Sequence, residues 1–197
     1  NEKVYDLDYE NFSFIVNGTL LKPDAVFNII HGDPGENGDL AEILERNKIP
    51  QTACDVYVSK LTFNKKKYIE FVNSLGIPSS KQVLITSNDI NNLSSLSSSI
   101  TFPCIVKPNN GGSSIGVSKV YKSNELNEKV QIAFKEDDEV LIESFLDGQE
   151  VSVGVIQNKN DRIILPITEI ISDNELFDYS AKYLGESQEI TPGNVSK

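Results

Sequence analysis

The stretch that most constrains this chain is Lys107-Pro108-Asn109-Asn110-Gly111-Gly112-Ser113-Ser114-Ile115-Gly116. Pro103–Pro108 (PCIVKP) reads as a strand, Asn109–Ser114 as a loop and Ile115–Tyr121 (IGVSKVY) as a second strand. The pattern presents a lysine at a strand end, then a glycine pair and two hydroxyls. Glycines let successive backbone N–H groups face one concave side, and the lysine adds a fixed positive charge. A polyphosphate requires that combination. A plain hairpin with a Gly/Ser tip fits the same residues, since both types are common in turns. A Walker loop does not fit, because no helix follows and the lysine precedes the glycines.

Upstream, Ala25–Ile30 (AVFNII) reads as a short buried strand, followed by the glycine-rich turn His31–Gly38 (HGDPGENG). Leu40, Ile43 and Leu44 then share one face of a helix ending near Asn47. Strand, turn and helix in that order are half of a βαβ unit, which points to an open α/β sheet. A second helix spans Asn64 to Leu75, with Tyr68, Phe71, Val72 and Leu75 as its apolar stripe, Gly76 at its C-cap and Pro78 beyond. Asp89–Ser99 reads as a solvated connector with weak helical character.

Downstream, Ser123 is placed to cap a helix carrying Leu126, Val130 and Phe134. Val140–Leu146 and Glu150–Gln157 read as strands, joined by Asp147-Gly148 as a hairpin turn. Ile163–Ile171 reads as one more strand, and the final stretch LFDYSAKYLGESQEITPG as an ordered loop.

The balance of charge narrows the partners. Among 197 residues the net charge is −11. Nucleic acid is disfavoured, because neutralising phosphates needs clustered Lys and Arg, and an anionic membrane surface is disfavoured for the same reason. No apolar run reaches the roughly 20 residues of a membrane span. Cys54 and Cys104 lack metal-type spacing. They read as small buried hydrophobes of a reducing, cytoplasmic compartment. A chain opening on Asn1 and closing on Lys197 in mid-pattern reads as cut at both ends.

One further cluster has chemical content. Glu143, Phe145 and Asp147 alternate onto one strand face and Leu146 onto the other, with Glu150 just beyond. A hydrophobic wall beside a carboxylate suits an adenine ring and a ribose hydroxyl. An amphipathic hairpin with solvated glutamates suits the same residues.

With these segments in order, the chain resembles the D-alanine–D-alanine ligases over nearly its whole length. His31-Gly32…Gly35-Glu36-Asn37-Gly38 is similar to that family's HGxxGEDG, Ile49-Pro50-Gln51-Thr52 to IPYT, and Asn64-Lys65 to DK. Lys107–Gly116 is similar to KPxxEGSSxG, Glu143–Glu150 to LIExxxxGxE, and Phe177–Tyr183 to YDYEAKY. Gly111, Gln51, Asn64 and Asn37 depart from the family residues at their positions.

The resemblance implies an α/β (α+β) ATP-grasp fold with an N-terminal Rossmann-like remnant. Its parts would be residues 1–60 from the N-terminal domain, 61–142 as the central lobe and 143–197 as the start of the C-terminal lobe with a lid loop. It implies ATP-dependent joining of two D-alanines for peptidoglycan synthesis, in a cytoplasmic homodimer. Lys65 and Lys107 would contact the ATP phosphates, with Ser114 in the same nucleotide-binding group. Glu143, Phe145, Leu146 and Glu150 would line the adenosine pocket. Ser113 and Tyr183 would form a hydrogen-bond link that closes the lid, Lys182 would reach the γ-phosphate, and His31 and Glu36 would lie near the first D-alanine. A satisfied turn histidine is the plainer account of His31. The family's magnesium ligands would fall outside this chain, leaving a fragment unable to complete catalysis alone. An inert ATP- or ADP-binding fragment, and a ligase with D-serine or D-lactate as acceptor, are the alternatives.

Overall fold

A computed structural model describes residues 5–158, 161–172 and 187–195. They divide into two compact units. The first holds the chain up to Ser79 together with Asn109–Gly112, and the second holds Ser80–Pro108 and the chain from Ser113.

The first unit opens with an antiparallel sheet of β1 (Leu7–Asp8), β2 (Ser13–Val16) and β3 (Thr19–Leu21). Three helices follow: α1 (Asp39–Arg46), α2 (Val56–Phe63) and α3 (Lys65–Ser74). The face expected of α1 is its buried face, since Leu40 and Leu44 pack with Phe12 and Ile49, and Ile43 leans on them. Gly38, the N-cap of α1, has φ 95°. A Cβ there would lie 2.7 Å from Lys60 Cγ, so a bare glycine lets α1 and α2 approach.

The strand expected at Ala25–Ile30 shrinks to a single parallel bridge between Val26 and Gln51. Phe27, Ile29 and Ile30 are exposed. No neighbouring strand extends the pairing among the described residues, so alternate side chains gain nothing from an extended ladder. What persists is a parallel pair spanned by α1, the minimal form of a βαβ unit. Helix α3 follows its sequence signals closely: the Asn64 side chain accepts from Lys67 N–H, and Gly76 turns the chain at φ 79°. Its expected apolar stripe, however, leaves Tyr68, Phe71 and Leu75 exposed.

The second unit is built on four antiparallel strands in the order β4-β7-β5-β6. These are β4 (Gln82–Thr86), β5 (Cys104–Pro108), β6 (Ser118–Val120) and β7 (Glu139–Ser144). Between β4 and β5 lie a 3-10 turn at Ser87–Asn92 and the short helix α4 (Leu93–Leu96), and α5 (Leu126–Ala133) follows β6. Ile85, Cys104, Val106, Val120, Val140 and Ile142 form the core face of the sheet together with Leu126, Val130 and Ala133 of α5. The β5–β6 hairpin expected from Pro103–Tyr121 is present, with Cys104 opposite Val120.

Beyond β7 the expectations need correction. Asp147-Gly148 does not close a hairpin. Both edges of β7 are occupied, by β4 and β5, so the next strand has no edge to join there. Instead β8 (Glu150–Ser152) pairs with β11 (Thr168–Ser172), and β9 (Val155–Asn158) forms a separate hairpin with β10 (Asp161–Ile164). The run Ile163–Ile171 is thus two strands, broken around Pro166, which lacks the N–H that a ladder needs. The end of the expected final loop is also ordered differently: Ser187–Ile190 is a strand, β12, on the other edge of β11.

The cysteines divide as well. Cys104 is buried in β5, where burial pushes its thiol up to about 11, whereas Cys54 is exposed just before the N-cap of α2.

Candidate functional site

The register of the four-stranded sheet sets out its second face. Gln82, Glu143, Ile105 and Lys119 stand directly opposite one another across β4, β7, β5 and β6. They form one row, and their neighbours along each strand belong to the core face. Lys107, two residues beyond Ile105, lies in the adjacent row opposite Leu141.

Lys107 Nζ donates to Glu143 Oε1 at 2.5 Å, with side-chain exposures of 19% and 16%. The other oxygen, Glu143 Oε2, accepts from Ser80 Oγ at 3.3 Å. Two residues from separate sequence motifs are therefore paired, and Ser80 joins them. Among the described residues the side-chain oxygen Gln82 Oε1, in the same row, is buried without a hydrogen-bond partner, an acceptor available to a donor. Phe145 follows directly on β7, its N–H donating to Pro103 O at 3.0 Å. Lys119 Nζ lies 3.9 Å from the centre of its ring. Leu146 is exposed, and Glu150, in β8, is exposed opposite Ile170.

The glycine-rich loop has the backbone its sequence suggests. Gly111 (φ 113°) and Gly116 (φ 72°) are left-handed, and so are Ser113 (φ 51°) and Ser114 (φ 57°). Two non-glycine residues in succession at positive φ are costly, of order 1–2 kcal/mol each, and such conformations concentrate at functional loops. Among the described residues no atom lies within 4 Å of a Cβ built on Gly111.

In the first unit, the N-terminus of α3 grips the part of this loop that belongs to it. Asn109, fully buried, accepts at its Oδ1 from Lys66 N–H (2.9 Å) and at its carbonyl from Lys65 N–H (3.0 Å). Lys65 Nζ donates to Gly111 O at 2.9 Å, and Asn64 Nδ2 to Asn110 Oδ1 at 3.0 Å. The His31–Gly38 turn contributes Glu36, whose carboxylate accepts from Gly32 N–H at 2.5 Å. That carboxylate oxygen lies 3.7 Å from a Cβ built on Gly112. Glu36 and Lys65 thus both flank the loop, while His31 is exposed. Lys182 and Tyr183 lie outside the described residues.

Asn109, Ser80 and Lys119 carry contacts that single-residue signals do not announce. Asn109 sits inside the loop motif, but its role appears only once α3 is placed beside it. Among the described residues no group of three or more His, Cys, Asp or Glu converges as a metal site. No helix among them is long and apolar enough to cross a membrane.

Set beside known proteins, residues 71–197 match the family described as D-ala D-ala ligase C-terminus. The chain belongs to the D-alanine–D-alanine ligase family. A D-alanine–D-alanine ligase of Flavobacterium johnsoniae is 47% identical over 196 residues, covering 100% of this chain and 61% of the relative. One from Christiangramia forsetii is 48% identical over 193 residues, covering 98% of this chain and 59% of the relative. The chain therefore spans about 60% of the length of these relatives. Among solved structures, the VanG D-Ala:D-Ser ligase from Enterococcus faecalis superposes with a TM-score of 0.84 at 29% identity, covering 98% of this chain and 57% of that one. The α/β architecture is accordingly the ATP-grasp fold of this family.

Proposed function

We propose that this sequence is the nucleotide-gripping part of an ATP-dependent ligase that joins two D-alanines, supplying a precursor for peptidoglycan. The observation that carries the reading is the near-complete coverage of the chain by relatives named D-alanine–D-alanine ligase at 47% and 48% identity. The likeness to a D-Ala:D-Ser ligase favours D-serine as the second acceptor to test, at the lower identity of 29%.

A carboxylate cannot form an amide at neutral pH without activation, because an oxide ion is not a leaving group. In the proposed reaction a carboxylate oxygen of the first D-alanine attacks the γ-phosphorus of ATP. The bond to the bridging oxygen breaks, and ADP leaves with that electron pair. The free amine of the second D-alanine attacks the acyl carbon of the resulting acyl phosphate, inorganic phosphate departs, and the amine proton is lost to solvent. Little covalent work falls to the protein; positioning and charge stabilisation carry the catalysis.

Lys65, Lys107 and Ser114 are assigned to the phosphates, and Glu143, Phe145, Leu146 and Glu150 to the adenosine. His31 and Glu36 are assigned to the first D-alanine, and Ser113 with Lys182 and Tyr183 to a lid that excludes water from the acyl phosphate. Magnesium would neutralise charge on the polyphosphate when bound, and no residue described here is assigned to it. The division into residues 1–60, 61–142 and 143–197, a cytoplasmic location and a homodimer belong to the same proposal.

A thermal-shift titration followed by a phosphate-release assay tests it. ATP should raise the melting temperature of the chain. In a protein extended to the relatives' length, adding D-alanine should release phosphate and yield D-alanyl-D-alanine. Nucleotide binding with no D-alanine-dependent phosphate release in the extended protein would leave an inert binding module instead.

A further inference from the structure

Lys119 occupies the middle of β6, between Ser118 and Val120. Val120 is wholly buried in the core against α5, so strand alternation turns Lys119 to the opposite face. There it stands in the row of Gln82, Glu143 and Ile105. Its ammonium lies 3.9 Å above the centre of the Phe145 ring and 5.3 Å from that of Tyr121. In a chain of net charge −11, Lys119 makes no ion pair among the described residues. Its charge is directed to aromatic faces instead, which attract a cation through their negative quadrupole.

Phe145 is held from two directions. Its N–H is tied to Pro103 O at 3.0 Å, and Lys119 covers one face of its ring. The chain leaves the sheet at this point, and the residues that follow, from Leu146 to Glu150, are exposed. The orientation of Phe145 therefore sets where that segment departs.

We propose that Lys119 is a positioning residue for the nucleoside end of the site: by capping one face of Phe145 it fixes the ring and the departing segment against which a purine base packs. The inference rests on the assignment of Phe145 to the adenosine pocket. Lys119 acts through Phe145 and not on the phosphates, which distinguishes it from Lys65 and Lys107.

Calorimetric titration with adenosine, ATP and inorganic tripolyphosphate tests this on the wild-type chain and on Lys119→Gln, Lys119→Arg, Phe145→Leu and the Lys119→Gln/Phe145→Leu pair. Lys119→Gln should weaken adenosine and ATP by the same factor, roughly two- to fivefold for a partly exposed cation over a ring. Tripolyphosphate binding should be unchanged, and Lys119→Arg, which keeps the cation, should retain affinity. In the Phe145→Leu background, Lys119→Gln should cost nothing further. Equal weakening toward tripolyphosphate would make Lys119 a phosphate ligand and overturn the proposal. Unchanged adenosine binding in Lys119→Gln, with a loss in Phe145→Leu, would overturn it while leaving the adenosine pocket intact. No adenosine binding by the wild type, or none lost in Phe145→Leu, would overturn the pocket assignment and the proposal with it.

Discussion

Removing Lys107 should destabilise the four-stranded sheet, and the geometry fixes how much. Its ammonium sits 2.5 Å from Glu143 Oε1, and the two side chains are 19% and 16% exposed. The gross attraction at that separation is about 6–7 kcal/mol with an effective dielectric of about 20, and desolvation of both ions offsets most of it. Truncating one partner of a fully buried pair costs about 3–5 kcal/mol, because the survivor is left as an uncompensated charge. Here roughly a sixth of each side chain meets water and Ser80 still donates to Glu143. Lys107→Ala should therefore cost about 2–3 kcal/mol. Hydrogen exchange of the β5 and β7 amides reads this locally. At 1.4 kcal/mol per tenfold, protection should fall roughly 30- to 150-fold. The apolar double substitution Lys107→Met with Glu143→Leu removes both charges at similar volume and should recover most of the loss. Single substitutions that each change protection less than about twofold, or costs that simply add in the pair, would refute the assignment of a strongly coupled, largely desolvated pair.

Two further outcomes follow from local geometry. Gly38→Ala should lower stability by about 1–3 kcal/mol, combining a left-handed φ with contact against Lys60 Cγ, and urea melts followed by circular dichroism check it. Asp89 accepts from the backbone N–H of Thr86 and then from its hydroxyl, which holds its carboxyl below the ordinary range. Its contribution is thus complete at neutral pH and disappears as pH falls through that depressed value, so thermal melts of Asp89→Asn and wild type should differ at pH 7 and converge in acid.

The sequence made some elements plain because their determinants are local. Helix α3 is bounded by a capping Asn64 and a left-handed Gly76, and both act within one turn of the helix they delimit. The β5–β6 hairpin is legible because proline and glycine punctuate alternating apolar residues on either side of its loop. Asp147-Gly148 misled for the converse reason. A hairpin turn closes only if the strand before it has a free edge, and the occupancy of both edges of β7 is decided by β4 and β5, far away in the chain. Cys54 and Cys104 are equally apolar as residue types, and only the pairing of β5 buries one of them.

The candidate site shows the same division. Lys107, Glu143 and Phe145 stand out as residues of suggestive type, but no spacing in the chain tells which lysine meets which partner. That is settled by the strand order β4-β7-β5-β6, which interleaves strands from three separate stretches of the chain. A shift of β6 by one residue relative to β5 would send Lys119 to the core face and Val120 to the open one, inverting both their environments. The burial of Val120 in the α5 core is what forbids that shift. The packing on one face of the sheet thereby places the charged and aromatic row on the other.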